Sequence, residues 1–339
     1  MNIHYYVSDY ISHRRAGEAY IACLRQLGHT LVADPGDSDL VVIHEGPHFY
    51  GDILKTMPRD PGRKFVGYGV WETPQLPQPF IKGAALVDAI WTCSEFSRQA
   101  FLPYAKTFLL PHVVERAKAS REDMAWAMER IGIPQGRRED RDIFYFYTIV
   151  DTVNPRKDVA AMLTAFAAAF PRKEDKVRLV VKQYRAPQNL DAFPLVVDIP
   201  EPLSDGQIAA LHAVCDAYVS THHAEAWGLP LSEALSFGNP VIATAYSGNM
   251  EFMTAANSFP VPYTLVPVPE SMCRALPELF RRDMTWADID GAALVQTLRK
   301  VRSRPVPQDF RARAAASMSA FSPAAIRERL AGLLEEIFQ

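Results

Sequence analysis

The feature that most constrains this chain is a repeated alternation. Short runs that are apolar on both sides alternate with segments of helical spacing from one end to the other. Strand-like runs occur at 3–7, 40–44, 65–70 and 89–92, then at 144–150, 177–183, 195–199, 217–220 and 241–245. Strands without polar alternation are buried on both faces, which is the pattern of parallel sheets covered by helices. Helical segments at 17–27, 121–131, 159–170, 204–215, 230–237 and 323–338 supply that cover. Pro230 suits a first helical turn, and Gly238 followed by Pro240 suits the exit. A polar stretch at 134–142 reads as a surface loop. The expectation is α/β: two doubly wound domains in series, and 339 residues suffice for two cores.

Composition then removes several function classes. A net charge of −3 argues against nucleic acid as the main partner. No apolar run is long enough to cross a membrane as a helix. The opening MNIHYYVSDY lacks the basic-then-apolar order of a signal peptide. Cys23, Cys93, Cys215 and Cys273 form no CxxC pair, which suggests neither a zinc site nor a disulfide framework. A reduced, cytoplasmic protein is the expectation.

Ligands of doubly wound sheets sit beyond the carboxyl ends of the strands. In the second half, the strand at 144–150 runs into DTVNPRKD, which offers Arg156 and Lys157, and the strand at 177–183 carries Lys182 near its end. The strand at 217–220 runs into THHAEAWG, with His222, His223 and Glu225. The strand at 241–245 leads through Ser247, Gly248 and Asn249 towards Glu251. Cations beside a helix N-terminus suit a diphosphate, whose charge grows as it departs. Carboxylates suit sugar or ribose hydroxyls. Together these residues describe a nucleotide-sugar site.

The stretch HHAEAWGLPLSEALSFGNPVIATAYSGNMEF resembles the donor-binding region of GT-B glycosyltransferases of the retaining family 4 kind. Glu225 and Glu233 match its E-x7-E spacing, and NPRKDVAAMLTAFAAAF resembles its arginine-lysine segment. VWETPQLP and IWTCSEFSRQAF resemble its first-domain pattern. The resemblance is strongest over 144–259 and weakest over the first 60 residues. It implies two Rossmann-like domains facing a central cleft: an acceptor-side domain over 1–111 and a donor-binding domain over 112–322. The helix at 323–338 would pack back on the first. It implies a retaining, metal-independent hexosyltransferase-like enzyme, acting in polysaccharide or glycolipid assembly. The donor would be a nucleotide-diphosphate sugar and the acceptor a glycan or lipid-linked hydroxyl, with no other cofactor. Glu233 would hold the ribose and Glu225 the donor sugar, while Arg156, Lys157 and the 247–249 loop would stabilise the departing diphosphate. His222, Lys182 and Glu251 would complete the donor side.

Two departures stand out. Val150-Asp151 occupies the place of the family's Gly-Arg, so Arg156 either replaces that arginine or the arginine is missing. SDYISHRRAG stands where a glycine-rich loop would follow the first strand.

Each residue also has a plainer reading. Glu233 would fall in a first helical turn, where the helix dipole favours any carboxylate. Lys182 would either reach the donor or extend to the rim. Ser247 could be an ordinary helix cap. Adjacent His222 and His223 point apart, and no third metal ligand lies at suitable spacing. Asp37–Asp39 and Asp288–Asp290 read as caps and turns. In the first half, Trp71 and Glu72, Ser94 and Glu95, and His44 and Glu45 follow strands and should face the cleft from the acceptor side; Ser94 also suits a helix cap. His13 and His112 carry less weight. Arg299, Lys300, Arg302 and Arg304 form either a solvated basic face or a peripheral membrane contact. The rival functions are epimerase or phosphorylase chemistry on the same fold, and a non-catalytic sugar- or nucleotide-binding protein.

Overall fold

The computed structural model describes residues 1–133, 142–304 and 306–338; most of the 134–142 loop thus lies outside the described residues. The first half runs β1 (Asn2–Val7), α1 (Ile11–Gln26), β2 (Thr30–Leu31), β3 (Leu40–His44), α2 (Tyr50–Lys55) and β4 (Lys64–Tyr68). It continues with α3 (Gln78–Ala84), β5 (Ala89–Thr92), α4 (Glu95–Phe101) and β6 (Thr107–Leu109). After α5 (Arg121–Arg130), the second half has β7 (Phe144–Val150), α6 (Val159–Ala169), β8 (Val177–Gln183) and β9 (Val196–Ile199). Next come α7 (Asp205–Val214), β10 (Ala217–Ser220), α8 (Leu229–Ser236), β11 (Val241–Thr244) and β12 (Phe259–Val261). An antiparallel hairpin of β13 (Tyr263–Pro267) and β14 (Thr285–Ile289) brackets α9 (Glu270–Ala275). Helices α10 (Gly291–Ser303), α11 (Gln308–Ser317) and α12 (Pro323–Phe338) close the chain.

Two parallel six-stranded sheets result, ordered β2-β1-β3-β4-β5-β6 and β12-β11-β10-β7-β8-β9. Both are doubly wound. Strand order reverses between β1 and β3 in the first and between β7 and β10 in the second, and these switch points open the crevices where ligands lie. The runs are apolar because both faces are covered. In β3, Leu40, Val41, Val42 and Ile43 are all fully buried, as are Val180 and Val181 in β8.

The first helix begins six residues earlier than the periodicity indicates, at Ile11, because Ile11 is exposed and residues 12–15 are polar, so the first turn adds nothing to the apolar stripe. The β13–α9–β14 arm escapes the sequence reading because β13 is exposed along almost its whole length and so carries no buried apolar run, while β14 stands alone as a short buried strand. No helix among the described residues is long and apolar enough to cross a membrane.

The chain passes between the halves twice. Helix α5 packs against α7, on the second sheet, while α12 returns to pack against α1. The crossings touch where Val114 N–H donates to Phe321 O at 2.8 Å. In the basic cluster, Arg299 caps the end of α6, donating from Nη2 to Ala168 O at 2.8 Å and from Nε to Ala169 O at 3.1 Å. Arg302 donates to Lys176 O at 3.3 Å, so part of that cluster is structural.

Candidate active site

Two adjoining cavities lie between the sheets, beyond the strand ends. The first, roughly 240 Å³, is lined by Arg15, Arg156, Lys157, Glu225, Glu233 and the Trp227–Pro230 segment, among others. The second, roughly 490 Å³, has Glu45, Trp71, Phe80, Met272, Leu276 and Phe280 in its walls. Both are lined by Tyr10, His13, Glu72, Asp151 and Arg156, which form the wall between them.

At the second switch point, β7 ends in a short turn at Pro155–Lys157 whose first N–H groups are held by Asn154; its Oδ1 accepts from Arg156 N at 3.1 Å. Asp158 follows in the left-handed region at φ 43° and caps α6 through Ala161 N. This turn is pinned to the loop after β10, because His223 N donates to Arg156 O at 2.8 Å and Thr221 Oγ1 to Asp158 O at 2.7 Å. Two cations and a carboxylate therefore meet: Lys157 Nζ donates to Glu225 Oε1, and Arg156 Nη1 lies 4.0 Å from Glu225 Oε2. Arg156 also donates to Glu72 of the first half, joining the halves. Burial alone would raise the Glu225 carboxyl, but Lys157, Arg156 and His222 outweigh it and bring its pKa down to about 2.

Glu233 lines the same cavity, 3.9 Å from Arg15 Nη1 and 3.6 Å from His212 Nε2. Helix α8 begins at Leu229, so Glu233 stands beyond its first turn and not within it. The helix N-terminus on this cavity is that of α8, entered through Gly228 at φ 90°.

Other expected donor residues are nearby but lie behind the cavity wall. His222 is fully enclosed, with Nδ1 2.9 Å from Ser220 Oγ and Nε2 3.0 Å from Asn249 Oδ1, and burial lowers its pKa to about 4. The 247–249 loop supports Glu225 from beneath: Glu225 N donates to Ser247 Oγ and Gly248 N to Glu225 O, each at 2.8 Å. Neither Asn249 nor any other residue of that loop lines either cavity. Glu251 accepts from Glu95 N at 2.8 Å, so it holds the start of α4 across the interface. Lys182 is buried behind Tyr184, donating to Gln183 O with Nζ 4.3 Å from the Tyr184 ring centre. That cation–π contact and the surrounding burial keep it from the rim, and burial lowers its pKa.

From the first half, Glu72 lines both cavities and Trp71 the second, its Nε1 donating to Thr73 Oγ1 and Gln75 O, both at 2.8 Å. Ser94 is buried as the cap of α4, accepting from Ser97 N at 3.3 Å, and lines neither cavity. Tyr10, Arg15, Tyr184 and Arg185 were not singled out from sequence. Their only signal was the departure of SDYISHRRAG from a glycine-rich loop, and the proximity of Arg185 to the strand carrying Lys182. The fold also gathers three groups that sequence spacing keeps apart. Ligand atoms of Asp158, His223 and Asp288 come within 4.8 Å of one another, away from both cavities. His223 Nδ1 meets Ala287 O at 2.6 Å, and its ring stacks on Trp286.

Solved structures share this architecture. A glycosyltransferase from Rickettsia africae superposes with a TM-score of 0.67 at 15% identity, covering 100% of this chain and 98% of that one. This is a GT-B fold. Anabaena HepE, solved with UDP and glucose, gives 0.62 at 15% identity, covering 99% of this chain and all of that one. The pneumococcal O-GlcNAc transferase GtfA, solved with UDP and GlcNAc, gives 0.60 at 13% identity over 96% of this chain. The chain spans only 60% of that protein, and a similar 58% of S. aureus TarM. Residues 134–258 match the family model for glycosyl transferases group 1, which places that match on the GT-B half carrying Lys157 and Glu225. A comparison with curated protein sequences finds no match.

Proposed function

We propose that the protein is a retaining glycosyltransferase that uses a nucleotide-diphosphate sugar, with its donor in the first cavity. The observation that carries this reading is the Arg156–Lys157–Glu225 cluster at the second switch point, beside the N-terminus of α8. Lys157 and Arg156, with the partial positive charge at the N-terminus of α8, bind the diphosphate and stabilise the charge it gains on leaving. The buried Glu225 carboxylate, ionised at neutral pH, accepts hydrogen bonds from donor-sugar hydroxyls. Glu233 holds the ribose, and Arg15 balances its charge from the opposite half. The UDP in the HepE and GtfA structures supports a uridine diphosphate donor.

The acceptor hydroxyl attacks the anomeric carbon on the face from which the diphosphate departs. The bond from that carbon to phosphate oxygen breaks with its electron pair on the phosphate, which takes the hydroxyl proton. Orientation and charge stabilisation are the protein's contribution, and two fixed cations perform it without a metal. Glycan or glycolipid assembly suits a hydroxyl acceptor. Titration with UDP, GDP and ADP tests the donor site: one diphosphate should bind selectively. Lys157→Ala should weaken that binding and lower transfer by at least about tenfold. Unchanged transfer in Lys157→Ala and Glu233→Ala together would overturn the assignment.

A further inference from the structure

The second cavity sits at the first switch point, and its wall holds a histidine that the donor site does not use. His13, in the first turn of α1, has Nδ1 3.1 Å from Ser8 Oγ at the end of β1 and 3.4 Å from Glu45 Oε1 after β3. Glu45 is firmly a carboxylate. Burial would raise its pKa, but hydrogen bonds from His13, Gly46 N–H and Ser8 bring it down to about 2. A carboxylate only accepts, so Nδ1 of a neutral His13 carries the proton and Nε2 is the acceptor. No described residue bonds Nε2. On the shared wall Arg156 pairs with Glu72 and Asp151 Oδ2 lies 3.3 Å from Arg185 Nε, while Asp151 Oδ1 is buried without a hydrogen-bond partner among the described residues. His44 and Tyr10 flank the His13 ring, at 5.4 and 5.2 Å between ring centres.

The wall opposite is apolar. Phe80 comes from the first half, while Met272, Leu276, Leu279 and Phe280 come from the β13–β14 arm of the second. Leu276 remains exposed there. A cavity with a hydrogen-bond acceptor at its donor end and an alkyl-lined far wall matches one class of molecule. We propose that the second cavity binds the acceptor as an amphipathic alkyl-bearing polyol, with one hydroxyl donating to His13 Nε2, the reacting hydroxyl keeping its proton for the departing phosphate, and its apolar part against the arm. Glu45 and Ser8 act as positioning residues that fix the ring. This rests on the transferase reading, since only that reading gives the shared wall a reacting hydroxyl.

The test is calorimetric titration with submicellar n-octyl β-D-glucoside, against methyl β-D-glucoside, with and without UDP. The octyl probe should bind at least about tenfold more tightly than the methyl one. Leu279→Asp and His13→Ala should each weaken octyl binding by about tenfold or more, while UDP affinity stays within about twofold. His13→Gln, which keeps an acceptor, should recover part of the loss. Glu45→Gln should keep probe affinity, because its amide oxygen still accepts from Nδ1–H, whereas Glu45→Ala should lower it. No octyl binding, equal binding of the two probes, or full affinity in His13→Ala would overturn the proposal. Failure to bind UDP in an otherwise folded protein would instead count against the transferase reading.

Discussion

Glu225 is a buried charge held by two cations, Lys157 and Arg156. Its carboxyl titrates near pH 2 in the folded chain and in the ordinary range when unfolded. Its contribution to stability is therefore complete above about pH 5 and is lost as pH falls towards 2, amounting to about 3 kcal/mol. His222 adds to this loss: it is held neutral down to about pH 4 in the folded state but charges nearer 6.5 when unfolded. Stability should fall as pH drops through that window, visible as a falling melting temperature. In Glu225→Gln the decline below pH 5 should be shallower than in the parent, although the protein starts from lower stability at pH 7. Equal slopes would show that the carboxylate is not held by Lys157 and Arg156. The meeting of Arg156, Lys157 and Glu225 could be anticipated because short strand-end loops carry few side chains; the burial of Lys182 and His222 could not, because only packing decides whether a strand-end side chain turns outward or folds under.

At the scale of elements, strands buried on both faces were readable from composition alone, and so was the alternation that makes both sheets parallel. The β13–α9–β14 arm was not, since β13 is exposed along almost its whole length and the helix is less than two turns long. The 247–249 loop, read from sequence as a diphosphate contact, lies directly beneath Glu225 in the structure. At Gly248 a Cβ would sit 1.8 Å from Ala226 O, so no side chain fits between the turn and the loop that carries Glu225. Gly248→Ala should cost about 2 kcal/mol or more, measured by denaturant unfolding. It should also impair donor binding, because relief requires moving the backbone that carries Glu225. A variant with parent stability would mean the two loops slide freely.

At the scale of the molecule, the halves are joined by charge as well as by chain. Arg156 meets Glu72, Arg15 meets Asp205, and Glu251 meets the N-terminus of α4 across the cleft. If transfer depends on fixed cations and no bound ion, EDTA should leave its rate unchanged. A loss restored by zinc would shift attention to Asp158, His223 and Asp288.

The return of α12 to α1 carries a mechanical consequence. Two connections that touch at Val114 and Phe321 act like paired pins on one edge of a door. Any relative movement of the halves is thereby confined to rotation about that edge, and severing either connection alone removes one of the two restraints. A nick near residue 115 should therefore leave the halves associated but make re-closure, and with it transfer, less reproducible from one turnover to the next.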